Sequence, residues 1–146
     1  MIARSLLLLS ALALTSCEHF ICITYGCQNG FSWQAPLPPA WTGEEVEEGG
    51  IVRLCVNGEC EERPFWFGGG GHVVDESDGS VSISVYWEVE PGVPLVDGDR
   101  VSLALLAPDG TPIAALDEEP VTYTITAERV CDIGTCRHVE LEGSTL

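Results

Sequence analysis

Seven cysteines carry the most evident chemistry of this chain, and six of them fall into three pairs: Cys22/Cys27, Cys55/Cys60 and Cys131/Cys136, each with four residues between. Thiols so arranged can form disulfides, ligate a metal or act as a redox couple. Zinc sites favour shorter spacing with a matched second pair, and no Cys-x-x-Cys is present, so disulfides are the expected chemistry. The middle pair encloses Asn57-Gly58, a two-residue turn in which both positions accept positive φ. Val56 and Glu59 then flank the turn as the hydrogen-bonded pair. Cys55 and Cys60 follow as a non-hydrogen-bonded pair with Cα atoms about 4.5 Å apart, within disulfide reach. Cys131/Cys136 repeats the layout around Gly134, and Cys22/Cys27 does so less clearly. Six cysteines allow fifteen connectivities. A bridge such as Cys55 to Cys131 would contribute about 4 kcal/mol and a local one about 2, so stability alone favours long bridges. Hairpin geometry favours the local pairing, which is the expectation.

Three other groups could do chemistry. His72 follows Gly68 to Gly71, and a histidine beside a glycine loop is the place to look for an enzyme. The chain has no Gly-x-Ser-x-Gly nucleophile, however, and its three histidines form no triad or metal motif, so a flexible connection is expected there. Asp75 and Asp78 crowd one turn, and Asp97 and Asp99 another. These are candidate ligands for calcium, which takes about six to eight oxygens, although the EF-hand pattern is not met and solvated turns account for them as well. Phe65, Trp66 and Phe67 follow Pro64 directly. In an extended segment at least one ring must point outward, which makes them a candidate binding patch for a protein or carbohydrate.

Alternation with period two must position these groups. Val81, Ile83, Val85, Trp87 and Val89 form one apolar face, as do Val101, Leu103 and Leu105; Val121, Tyr123, Ile125 and Ala127; and Val139 with Leu141. Asn57-Gly58, Asp78-Gly79, Asp97-Gly98 and Asp109-Gly110 punctuate these runs. Regular short strands with such turns predict an all-β fold, a single antiparallel β-sandwich of about seven strands stapled by disulfides. Residues 28–50 carry Pro36, Pro38, Pro39 and a cluster of Glu with no sustained period, and read as a tether.

Charge excludes further classes. Across 146 residues there are 6 Arg and no Lys against 23 Asp+Glu, a formal net charge of −17. Such a chain cannot neutralise phosphates, which argues against nucleic acid, and the missing Lys removes P-loop and Schiff-base chemistry. No cofactor is implied.

The N-terminus carries Arg4 and then an apolar run from Leu6 to Leu14, about 14 Å of helix, half of a hydrocarbon core and the length of an export signal. Leu14-Thr15-Ser16-Cys17 follows it and resembles the lipobox of bacterial lipoproteins. That resemblance implies cleavage before Cys17 and acylation of its thiol and amine, two or more acyl chains giving stable anchoring. With Cys17 set aside, the remaining cysteines are even in number. The same resemblance implies outer-membrane or surface placement, because Glu18 is not the Asp that follows the cysteine of enterobacterial lipoproteins kept at the inner membrane. The expected layout is a signal peptide over 1–16, a lipidated tether over 17–50 and a sandwich over 51–146. Gly98 to Thr126 is similar to bacterial immunoglobulin-like modules, and with the terminal Cys pair resembles lipoproteins of myxobacterial type. The expected function is that of a membrane-anchored envelope module, non-catalytic, with an envelope protein or carbohydrate as ligand. An enzyme using His72 and a calcium-dependent adhesive module are the alternatives.

Overall fold

Apolar residues at every second position force one face of each strand out of water, and two such faces packed together are the least costly way to bury them. The computed structural model describes residues 28–66, 70–90, 93–127 and 136–145. They form β1 (Gly30–Pro36), α1 (Gly43–Gly49), β2 (Ile51–Val56), β3 (Glu59–Pro64), β4 (Gly71–Asp75), β5 (Val81–Glu88), β6 (Arg100–Leu106), β7 (Pro112–Pro120), β8 (Thr124–Ala127), β9 (Cys136–Glu142) and β10 (Ser144–Thr145). One sheet runs β4-β5-β1-β9-β8 and the other β10-β7-β6-β2-β3. The all-β sandwich is therefore the fold. Its described strands number nine of four residues or more plus the two-residue β10, against the seven expected.

The core lies between the sheets. Phe31 and Trp33 of β1 meet Ile83, Val85 and Trp87 of β5 on one side, and Leu54, Leu103 and Leu105 face them from the other. Positions with the expected alternation are buried at Ile83, Val85, Trp87, Val101, Leu103, Leu105, Val139 and Leu141. The turn glycines Gly58, Gly79, Gly98 and Gly110 all have φ between 85° and 97°, the left-handed region that their Asn-Gly and Asp-Gly context implies.

Three expectations are corrected. Residues 28–50 are not a tether throughout. β1 lies at the centre of its sheet, Trp33 is 0% exposed, and α1 buries Val46. The sandwich thus begins near residue 28, not at residue 51. The prolines that suggested a linker sit at the strand's end and in the turn beyond it, where no ladder hydrogen bond is lost. α1 itself is too short to show a stripe and rests on a capping box: Thr42 Oγ1 accepts from the Glu45 N–H at 3.3 Å, and Glu45 Oε2 accepts from the Thr42 N–H at 2.8 Å. The sandwich is not wholly antiparallel, because β1 and β9 pair in parallel from Gly30↔His138 to Gln34↔Glu142. These strands open and close the domain, so no hairpin dictates their direction. Finally, Val121 and Tyr123 are buried but precede β8, whereas Ile125 within β8 is exposed.

The cysteine expectation holds where it can be seen. Cys55 and Cys60 face each other in the β2–β3 register and are joined, with Cα atoms 4.0 Å apart. Asn57 (φ 52°) and Gly58 (φ 85°) turn the chain between them. Cys136 is also disulfide-bonded, to a cysteine outside the described residues. Cys17, Cys22, Cys27 and Cys131 lie outside them as well. Among the described residues no helix is long and apolar enough to cross a membrane.

Candidate binding groove

The residues singled out from sequence do not gather into one site. His72 is exposed on β4, an edge strand, and its cross-strand neighbour is Ser84. The carboxylate in that same row is Glu142, reached through Ser84 and Gln34, three strand spacings away. At about 4.8 Å per spacing the acid is roughly 14 Å from the imidazole, too far to orient it. Gly68, Gly69 and Phe67 lie outside the described residues. Phe65 is 1% exposed and belongs to the core, while Trp66 is 59% exposed, so these two rings divide between core and surface at a turn.

The four candidate calcium ligands are also dispersed, and three of them are engaged. Asp78 Oδ1 accepts from the Ser80 N–H at 2.9 Å and hydroxyl at 2.6 Å, which holds its carboxyl below the usual range and closes the β4–β5 turn. Asp97 Oδ1 accepts from the Tyr123 N–H at 2.9 Å and lies 3.6 Å from Arg137 Nη1. Asp99 is buried, with Oδ1 accepting from the Asn57 side-chain amide at 2.9 Å and Oδ2 from the Val96 N–H at 2.9 Å and the Tyr123 hydroxyl at 3.0 Å. Burial pushes the Asp99 carboxyl up, but the Val96, Asn57 and Tyr123 bonds outweigh it and leave the group below its ordinary value. Burial first, and then the Asp99 carboxylate, push the Tyr123 hydroxyl upward. Asp75 is exposed on β4. Among the described residues no three His, Cys, Asp or Glu groups converge as a metal site. Asp99 is instead a knot tying the β2–β3 turn to the segment before β8.

A different place in the molecule has the form of a site. Among the described residues β3 borders its sheet, with β2 as its one neighbour. The register pairs Val56 with Glu59, Leu54 with Glu61 and Val52 with Arg63, so these three charged residues share the face of β3 that continues the apolar face of β2. A core cannot extend beneath charges, and the sandwich opens there into a cleft of about 1010 Å³. Its floor is Phe31, Leu54, Trp87 and Leu95. The β2–β3 hairpin overhangs one side, and residues 88–90 and 93–95, which lead away from β5, form the other. Val93, half exposed, stands at the lip.

Three acidic residues, Glu59, Glu61 and Glu90, line this cleft against one guanidinium, Arg63. Arg63 Nε donates to Glu61 at 2.9 Å, and its guanidinium lies 4.1 Å from the centroid of the Trp87 ring. It therefore seals the edge of the core by a cation–π contact while serving as counter-ion to one acid. Glu59 and Glu90 have no cationic partner among the described residues. The cleft is apolar below and anionic above, and among the described residues its walls hold no histidine or serine.

The groove escaped the sequence reading, yet a signal for it existed. Once Cys55 is placed opposite Cys60, Glu59, Glu61 and Arg63 must fall on the face shared with Val56, Leu54 and Val52. Charges at alternating inward positions of a strand mean a strand with nothing packed below it. Compared with family models, with curated proteins and with solved structures, the chain finds no match.

Proposed function

We propose that this chain is an exported envelope module, anchored through acylated Cys17, whose sandwich binds a partner in the groove beneath β3 and performs no catalysis. The observation that carries the binding reading is the groove itself: an apolar floor kept open by charges on the inward face of β3. The separation of His72 from any carboxylate in its row supports a non-catalytic role over an enzyme. The dispersal of Asp75, Asp78, Asp97 and Asp99 speaks against a calcium-dependent adhesive. The lipobox-like Leu14-Thr15-Ser16-Cys17 supports the anchor.

Two measurements test the two halves. Intact mass of the protein extracted from its native membrane and alkylated without reduction is expected to show a chain beginning at Cys17, with acyl mass and no alkyl adducts. An unacylated chain beginning elsewhere overturns the anchor. Nile red, an uncharged apolar probe, is expected to bind with enhanced fluorescence and to lose that enhancement in Val56→Asp/Val93→Asp, which charges the lip and wall. Enhancement unchanged by these substitutions overturns the groove as the binding surface.

A further inference from the structure

Resting on that reading of the groove, we infer that its occupant is an extended segment of a basic polypeptide, which adds as a strand to the outer edge of β3 and sets its cationic side chains against Glu59, Glu61 and Glu90. Three observations lead there. The first is the edge. With Val56/Glu59 and Leu54/Glu61 as the hydrogen-bonded pairs, the backbone N–H and C=O groups of Cys60 and Glu62 point away from β2. Such groups form a template for another strand. The second is charge complementarity. Two of the three groove acids, Glu59 and Glu90, have no cationic partner among the described residues, and the whole chain stands at −17, so the potential over the cleft attracts a cationic segment and repels a second copy of this chain. The third is Arg63, whose position shows that the floor accepts a guanidinium against Trp87. An incoming strand alternating basic and apolar residues would direct one set of side chains to the carboxylates while its aliphatic stems cover Val56 and Val93.

The test uses the mature chain from Cys17 and a blocked heptapeptide, Ac-KVKVKVK-amide, followed by tryptophan fluorescence and calorimetry. Saturable binding is expected, at least about tenfold tighter than that of Ac-EVEVEVE-amide and weakened as salt rises. Glu59→Gln/Glu61→Gln, both at exposed positions, is expected to weaken it about three- to tenfold with the melting temperature little changed. Two N-methylated peptides separate strand addition from mere charge. Methylation of alternate amides in one register is expected to abolish binding, and in the other to preserve it. Equal tolerance of both methylation patterns, equal binding of the two charge forms, or spermine binding as tightly as the peptide overturns the inference. If Nile red still occupies the groove while the peptide does not bind, the basic strand falls and the groove stands. If neither binds, both fall.

Discussion

At the residue scale Asp99 carries the heaviest structural duty, because one buried carboxylate satisfies the Val96 N–H, the Asn57 amide and the Tyr123 hydroxyl. Asp99→Ala would leave these donors without an acceptor, and a loss of about 3 kcal/mol is expected in urea unfolding. Its folded-state carboxyl is held below the ordinary value. The stability it contributes is therefore fully present above the unfolded carboxylate range, near pH 4, and is lost as pH falls through the lower folded value. The gap between wild type and Asp99→Asn should accordingly be widest near neutrality and narrow in strong acid; a gap that widens on acidification contradicts this assignment. From sequence Asp97 and Asp99 read as candidate calcium ligands or as solvated turn residues. Whether such a carboxylate meets a cation or a set of N–H and O–H donors depends on Asn57 and Tyr123, 42 and 24 residues away from Asp99.

At the scale of elements, the β2–β3 hairpin was legible because its turn and its flanking cysteines state the same register twice. Removing one of these statements should leave the other. Cys55→Ser/Cys60→Ser is expected to cost about 2 kcal/mol while the hairpin persists, checked by denaturation and amide exchange of Val56 and Glu59. β1 was not legible. Phe31, Trp33 and Ala35 do alternate, but the signal is three residues long and ends in prolines, the composition of a linker. What makes β1 a strand is partners far along the chain, β5 and β9. A chain beginning at residue 51 would lack this central strand and is expected to show no cooperative unfolding transition. α1 was likewise hidden, since seven residues hold too few apolar positions for a helical period and Thr42 with Glu45 reads equally as an acidic linker.

For the whole molecule, the surplus of acids sets both stability and sociability. At −17 the folded chain repels itself, and raising sodium chloride from 0.05 to 0.5 M is expected to raise its melting temperature, read by calorimetry. A fall would show that specific ion pairs, such as Arg53 with Glu62 or Arg100 with Glu118, outweigh the general repulsion. Fold class followed from sequence because it depends on alternation, a local and repeated property. The groove depends on which edge of which sheet is left bordering solvent, and that is a property of topology.

The parallel pairing of β1 with β9 also sets a clock. The middle strand of one sheet is nearly the first part of the domain to be made, and one of its two neighbours is nearly the last. Contacts of such long sequence separation close slowly, and refolding on the millisecond-to-second scale is expected in stopped-flow mixing. Until residues near 141 have emerged, Phe31 and Trp33 lack the water-free setting that will eventually hide them. A chain delivered N-terminus first therefore passes through an interval in which the central strand of one sheet waits uncovered, and that interval is when a protease or a sticky neighbour has its best chance.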